Sequence, residues 1–232
     1  MFDRHLLPLQ KRLLEPPAAR LAQAGISADT VTILGFVVGL AVVPLLAYGQ
    51  YTAALAVILA NRALDGLDGA LARRTRPTDR GAFLDIALDF VFYALVPFGF
   101  ALADPATNAL PAATLLLAFV GTGSSFLAFA AVAARRGMSS AAYPGKGFHY
   151  LGGLTEGAET IAVFMAMCLW PSAFEIIAYA FAALCGLTTL TRWWWGWRAF
   201  AADTPRGTGD RPTSSTASKT RKGKATGVEL AS

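Results

Sequence analysis

Four aspartates with helical spacing are the residues of this chain best suited to carry chemistry. They form two pairs, Asp65 with Asp68 and Asp85 with Asp89, each within or beside an apolar stretch. A carboxylate in such surroundings is energetically expensive and needs a partner. Because a helix turns by about 100° per residue, positions three or four apart lie on one face. Each pair therefore presents two carboxylates on one side of a helix.

A turn between the two pairs brings the four carboxylates together. Pro77 and its charged neighbours interrupt the helical pattern. A chain that folds back there places Asp68 opposite Asp85. The same fold places Asp65 opposite Asp89. Four carboxylates at close range repel one another unless cations neutralise them, and oxygen-rich clusters suit hard ions such as Mg²⁺ or Mn²⁺. We therefore predict a site for two divalent ions.

Two divalent ions side by side indicate a particular reaction class. At a separation of about 4 Å, such ions clamp the attacking and leaving oxygens of a phosphoryl group during displacement. The alternative is structural, because Arg62 lies one helical turn before Asp65 and could pair with it. One arginine cannot compensate four carboxylates, so we favour phosphoryl transfer on a diphosphate.

The order of residues around the aspartates resembles the signature of the CDP-alcohol phosphatidyltransferases, integral membrane enzymes that make phospholipids. All eight residue types of that signature are present, and the resemblance extends from about residue 25 to residue 200, particularly to bacterial inner-membrane members. It implies transfer of a phosphatidyl group from CDP-diacylglycerol, or a similar CDP-alcohol, to an alcohol acceptor with release of CMP. The matching order is Asp65-x2-Asp68-Gly69-x2-Ala72-Arg73, then Gly81-x3-Asp85-x3-Asp89.

The resemblance also implies roles for individual residues. The four aspartates would hold two Mg²⁺ or Mn²⁺ ions, and Asp89 would also act as the base toward the attacking hydroxyl. The expected contacts to the CDP group are Asp29, Thr32, Gly69, Ala72, Arg73 and Gly81. Alternatives remain open for several of them. Asp29 could simply cap a helix, Gly69 and Ala72 could serve helix packing, and Arg73 could anchor the chain at the cytoplasmic face.

The acceptor site is less sharply marked in the sequence. Arg135, Lys146 and Arg192 could bind the phosphate of a phosphorylated alcohol, or could be anchors that follow the positive-inside rule. Glu156 and Glu159 lie three positions apart at or within an apolar segment. They could orient an amine or polyol acceptor, or pair structurally with Arg135 or Lys146.

The composition indicates the elements that carry these residues. The chain has 232 residues, of which 55% are hydrophobic and 15% charged, and a mean hydropathy of +0.48. These values depart from those of a soluble domain toward a membrane protein. We predict an all-α integral membrane protein with six transmembrane helices and a short N-terminal amphipathic helix. The predicted spans are residues 31–48, 51–74, 81–103, 111–134, 154–170 and 172–197.

The predicted organisation has three parts. Residues 1–24 form an amphipathic helix on the cytoplasmic membrane surface, broken at Pro16 and Pro17. Residues 25–200 form the six-helix transferase domain. Residues 201–232 form a disordered basic tail, because they lack a hydrophobic face.

The charges predict the orientation in the membrane. With the N-terminus in the cytoplasm, the Lys and Arg residues fall in the inner segments, which the positive-inside rule favours. Both termini and the acidic cluster then lie at the cytoplasmic face of a bacterial inner membrane. The net charge of +5 follows this topology and does not indicate a nucleic-acid partner.

The expected partners are the bilayer, a CDP-lipid, a small alcohol and, by resemblance, a second copy in a homodimer. Two other classes of function, a membrane transporter and a non-catalytic scaffold, could also use intramembrane acids. The acids gather at one face, and no chain of ionisable residues continues across the membrane, so the transferase is favoured.

Overall fold

The computed structural model describes residues 3–137, 155 and 157–201, with side chains from residue 13 onward, and every regular element in this part of the chain is a helix. A single 3-10 turn, Pro171–Ala173, precedes the last helix. The α-helices are α1 (Asp3–Gln23), α2 (Ala28–Leu40), α3 (Val42–Ala47), α4 (Tyr51–Arg74), α5 (Asp79–Ala103), α6 (Pro105–Arg135), α7 (Gly157–Leu169) and α8 (Phe174–Phe200).

Side-chain caps fix the starts of three of these helices. The Ser27 hydroxyl accepts from the backbone N–H of Thr30 at 3.2 Å at the start of α2. The Thr78 hydroxyl accepts from the N–H of Gly81 at 3.0 Å at the start of α5. Asp104 caps α6 in the same way, and Pro105 follows it as the first helical residue. Such caps satisfy backbone donors that have no partner within the helix.

Among the described residues, four stretches are long and apolar enough to cross a membrane, namely Ala28–Ala47, Asp79–Ala103, Pro105–Arg135 and Pro171–Phe200. Gly157–Leu169 is a shorter apolar helix. The remaining long helix of the domain, α4, carries the charged residues of the candidate site in its second half. The all-α membrane fold is therefore confirmed, whereas the number of six spans stays a prediction.

Two expectations about local structure are wrong. The helix α1 continues through Pro16 and Pro17 instead of breaking there. The adjacent Ala18 is fully buried in a cluster with α2 and α4, and this packing holds the helical path across the prolines. The helix α6 begins at Pro105 rather than at Pro111, because proline is well tolerated in a first turn and Asp104 supplies the cap. The predicted tail and residues 138–154 and 156 lie outside the described residues.

The helix α2 is the element that positions the two aspartate-bearing helices. It packs against both α4 and α5, while α6 packs against α5 and α8, and α7 packs against α4. Close approach depends on Gly39, where a Cβ atom would lie 2.9 Å from Nδ2 of Asn61 on α4 and 2.9 Å from the ring of Phe92 on α5. The Phe92 ring is fully buried. The distance between α4 and α5 is thus set by a third helix.

We expect Gly39→Ala to destabilise the protein, because the added methyl group must displace either the Asn61 amide or the Phe92 ring. Overpacking of this kind costs roughly 1–3 kcal/mol, which lowers a thermal midpoint by about 2–4 °C per kcal/mol in a protein of this size. The measurement is the apparent melting midpoint of purified protein in detergent. Gly186→Ala is the matched control, because a Cβ atom there meets nothing within 4 Å. Equal midpoints for the two variants would contradict this packing argument.

Candidate active site

Three of the four predicted aspartates converge. Asp65 and Asp68 on α4 and Asp85 on α5 each place one carboxylate oxygen within 4.8 Å of the others. Asp68 is only 5% exposed, whereas Asp85 is exposed. This all-oxygen set of ligands fits a hard divalent cation such as Mg²⁺ or Mn²⁺. We call Asp65, Asp68 and Asp85 the aspartate triad.

Asp89 lies beside the triad but is held by an arginine. Nη2 of Arg62 donates to Oδ1 of Asp89 at 2.6 Å, and Nη1 donates to Oδ2 at 3.2 Å. This bidentate pair joins α4 to α5. Nη1 of Arg62 is also 3.5 Å from Oδ2 of Asp65. In the described structure, the four predicted aspartates therefore form the aspartate triad and a neighbouring ion pair between Asp89 and Arg62. The pairing of Arg62 with Asp65, considered above as the structural alternative, is present as well.

Arg62 is itself held in place from several directions. Its Nε and Nη2 atoms donate to Oδ1 of Asn61 at 2.9 Å and 2.6 Å. The buried Asn61 amide in turn donates to the carbonyl of Gly35 on α2 at 2.9 Å. The rings of Phe92 and Tyr93 lie 5.0 Å and 5.4 Å from the guanidinium carbon, in positions suited to cation–π contact. No role for Asn61 was predicted from the sequence, although the polar pair Asn61 and Arg62 at the end of the apolar half of α4 was a usable signal.

Five of the six residues predicted to contact the CDP group line one cleft of about 410 Å³, together with Asp68 and Asp85 of the triad. Thr32 connects the cleft to the triad, because its hydroxyl is 2.5 Å from Oδ2 of Asp68. Arg73 is not among the lining residues, and its Nη1 atom lies 3.4 Å from the position that a Cβ atom on Gly69 would take. The five lining residues are Asp29, Thr32, Gly69, Ala72 and Gly81.

Arginines from the turn between α4 and α5 also line this cleft. Arg80 pairs with Asp29, with its Nη2 atom 2.5 Å and its Nε atom 2.7 Å from Oδ2. Arg80 is 77% exposed, so this pair contributes little to stability. Gly81 allows a close approach beside it, because a Cβ atom would lie 3.0 Å from Oδ1 of Asp29. Arg76 is a further lining residue. The cleft thus carries the carboxylates of Asp68 and Asp85 together with the cations of Arg76 and Arg80, a combination that was not predicted from the sequence.

A second cavity of about 170 Å³ is lined by Arg192, and Phe90, the neighbour of Asp89 in the chain, lines it as well. Nη1 of Arg192 donates to the carbonyl of Thr122 at 3.0 Å. Tyr93 lines the same cavity, and its hydroxyl is 3.5 Å from Nη1 of Arg62. Tyr93 therefore links this cavity to Arg62, the arginine that binds Asp89. The other lining residues with hydroxyl groups are Thr122, Thr155 and Thr160.

The other predicted acceptor residues are placed differently. Arg135 is exposed at the end of α6 and does not line the cavity at Arg192. Glu159 is half-buried in the first turn of α7 and is also not among the lining residues. Lys146 and Glu156 lie outside the described residues. Of the five predicted positions, the geometry thus brings Arg192 alone, among those described, to the second cavity.

We expect Thr32→Val to weaken binding of a divalent ion by the triad. Valine keeps the shape of threonine but removes the hydroxyl that donates to Asp68, and loss of such an outer contact typically lowers metal affinity about 10- to 100-fold. The measurement is Mn²⁺ affinity, followed by the electron paramagnetic resonance signal of unbound ion. Thr114→Val is the control, because that hydroxyl bonds only to its own helix, at the carbonyl of Leu110. Unchanged Mn²⁺ affinity in Thr32→Val would show that the contact does not orient Asp68.

Relatives of known sequence share most of the length of this chain. It is 57% identical over 197 residues to the inner membrane protein YnjF of Escherichia coli, covering 85% of this chain and 96% of that protein. It is 31% identical over 187 residues to the archaetidylinositol phosphate synthase of Pyrococcus horikoshii, covering 80% and 91%.

A solved structure and a family model agree with these relatives. The phosphatidylinositol phosphate synthase PgsA1 of Mycobacterium tuberculosis, solved with CDP-DAG bound, superposes with a TM-score of 0.60 at 26% identity, covering 80% of this chain and 94% of that one. The model of the CDP-alcohol phosphatidyltransferase family matches residues 26–194. The resemblance drawn from the aspartate signature is thereby confirmed, and a transporter or scaffold is disfavoured. The chain belongs to the CDP-alcohol phosphatidyltransferase family and is an enzyme of that family.

Proposed function

We propose that this protein transfers the phosphatidyl group of CDP-diacylglycerol to a small phosphorylated alcohol and releases CMP. The observation that carries the proposal is that Asp68 and Asp85 of the aspartate triad line the same cleft as five residues of the expected nucleotide site. CDP-DAG bound to the related mycobacterial synthase supports this choice of donor. The cleft joins oxygen ligands for a cation to space for a nucleotide, which is the combination a CDP-lipid requires.

The aspartates of the site have separate roles in the reaction. The triad and Asp89 would hold two divalent ions, which would supply charge stabilisation to the diphosphate. Asp89 accepts the proton of the acceptor hydroxyl. The acceptor oxygen then forms a bond to the lipid-side phosphorus, the bond from that phosphorus to the bridging oxygen breaks, and CMP departs with the bridging oxygen. A positioned base of this kind contributes about 10²- to 10⁴-fold to the rate.

The nucleotide end of the donor lies in the cleft between α2 and the turn after α4. Gly69 and Ala72 present little side chain there, so the CDP group can approach the backbone of α4 closely. Arg73 binds a phosphate of the donor once it is present, which is the role expected from the family signature. Arg76 and Arg80 place further positive charge along the same cleft.

The acceptor occupies the cavity at Arg192, with its phosphate on the guanidinium and its hydroxyl directed toward Asp89. The synthases named for inositol phosphate lipids among the relatives support a phosphorylated polyol as the class of acceptor. Arginine suits this task because its planar group binds a phosphate through two parallel hydrogen bonds. Arg135 and Glu159 do not line this cavity, and we place them at the periphery of the route by which the acceptor reaches it.

In the membrane, the protein has six spans, with both termini and the active site on the cytoplasmic side. The distribution of Lys and Arg supports this orientation, and the name of the Escherichia coli relative supports an inner-membrane location. A CDP-lipid would then present its diphosphate at the site while its acyl chains stay in the bilayer. A homodimer is proposed on the family resemblance.

We expect purified protein with Mg²⁺ or Mn²⁺ to release CMP from CDP-diacylglycerol when offered a panel containing glycerol 3-phosphate and inositol phosphate. Chelation of the metal should abolish release, and Asp89→Asn should lower it by at least about 100-fold, because the base is lost. Asp104→Asn is the matched control, since Asp104 caps α6 and asparagine caps equally well. Absence of CMP release by the wild-type protein across the panel, together with no binding of CDP-diacylglycerol, would refute the proposal.

We expect Arg192→Met to raise the KM for the phosphorylated acceptor by at least about tenfold and to leave the KM for CDP-diacylglycerol unchanged. Loss of a hydrogen bond to a charged group costs about 1.5–3 kcal/mol, and about 1.4 kcal/mol corresponds to a factor of ten. Arg198→Met is the control, because Arg198 stacks on Trp194 and does not line the cavity. A change of equal size in both KM values would show that Arg192 does not belong to the acceptor site.

A further inference from the structure

The ion pair between Arg62 and Asp89 engages both oxygens of a carboxylate that the proposed mechanism also needs for a metal ion. The two donor distances are 2.6 Å and 3.2 Å, which makes the pair bidentate. The triad, by contrast, already has its three ligand oxygens within 4.8 Å of one another. The described site is therefore prepared for one cation, while the carboxylate that would complete a second is already engaged.

The pair is not a mobile surface contact. The Arg62 side chain is 16% exposed and that of Asp89 is 28% exposed. Arg62 is oriented by the Asn61 carbonyl oxygen, and Asn61 is fixed to the backbone of α2 at Gly35. Because the guanidinium is held by groups other than Asp89, it keeps its place whether or not Asp89 remains bound to it.

We propose that Arg62 is a positioning residue that reserves Asp89 in the free protein, so that the two divalent ions are bound in sequence. The triad holds the first ion. Asp89 leaves Arg62 and completes the second site only when the diphosphate of the CDP-lipid is bound. This inference rests on the proposed function and adds the order in which the site is assembled.

The balance of charge supports this order. In the free site, the three negative charges of the triad meet one divalent ion, and Asp89 is neutralised by Arg62. A second divalent ion would then face only one remaining negative charge and a nearby guanidinium. The diphosphate diester of a CDP-lipid brings two further negative charges and free oxygens. Arg62 can donate to those oxygens through the two N–H groups that otherwise bind Asp89, and this exchange releases Asp89 to bind the second ion.

The test counts Mn²⁺ ions bound to purified protein in lipid nanodiscs, using the resonance signal of unbound Mn²⁺. We expect one tightly bound ion per chain without CDP-diacylglycerol and two with it. In Arg62→Met, Asp89 is no longer reserved, so the second ion should bind without the CDP-lipid, with an affinity at least about tenfold higher than in the wild type. Asp89→Asn should bind one ion under both conditions.

Arg74→Met is the matched control for the loss of an arginine from α4. Arg74 pairs with Glu15 on α1 and does not contact the triad. This variant should therefore bind the same number of Mn²⁺ ions as the wild-type protein. Arg62→Lys keeps the charge but loses the bidentate geometry, and it should give an intermediate affinity for the second ion. If Arg62→Met does not fold, the Arg62→Lys variant still tests the proposal. The numbers of Mn²⁺ ions bound by the wild-type protein with and without CDP-diacylglycerol test it as well.

The outcomes separate this inference from the proposed function. Two tightly bound ions in the free wild-type protein, with unchanged CMP release, would overturn the ordered binding and leave the transferase intact. Binding of one Mn²⁺ ion both with and without CDP-diacylglycerol, in a protein that releases CMP, would also overturn the ordered binding. A protein that binds no Mn²⁺ and releases no CMP would refute both.

Discussion

The cost of placing carboxylates among apolar helices is the constraint on which this structure depends. Asp68 is almost completely buried, and its neighbours in the triad lie close enough to repel it. The protein meets this cost in two ways. Arg62 neutralises one carboxylate directly, and the triad is left as a set of oxygen ligands that a divalent cation can neutralise. A site of this kind is most favourable when a divalent cation is bound to it.

The helix packing serves this arrangement. Because α2 contacts both α4 and α5, it sets their separation, and it supplies the Thr32 hydroxyl to Asp68 and the Gly35 carbonyl to Asn61. The absence of a side chain at Gly39 permits the approach. A helix that carries no carboxylate of the triad thus orients Asp68 and Asn61 on α4 and packs against Phe92 on α5. This explains how a site between two helices can be precise while leaving room for a diphosphate.

The sequence predicted the residues of the site better than the contacts between them. Helical spacing of the aspartates predicted their convergence, because periodicity fixes which residues share a face. It did not predict that Asp89 would bind Arg62 rather than lie free beside the triad, since that contact depends on the distance between α4 and α5, which a third helix sets. The path of α1 through Pro16 and Pro17 was likewise decided by packing around Ala18, which overrides local propensity. From the sequence, Arg80 was predicted only to belong to a charged turn. In the folded chain, it pairs with Asp29.

The central claim is that the aspartates hold the metal ions that act on the CDP-lipid diphosphate. Anomalous diffraction at the manganese edge, from crystals of the protein with Mn²⁺ and CDP-diacylglycerol, tests it most directly. The account predicts two peaks, one among Asp65, Asp68 and Asp85 and one adjacent to Asp89, both next to density for the diphosphate. Diphosphate density without manganese at these carboxylates, or manganese bound elsewhere in the protein, would contradict it.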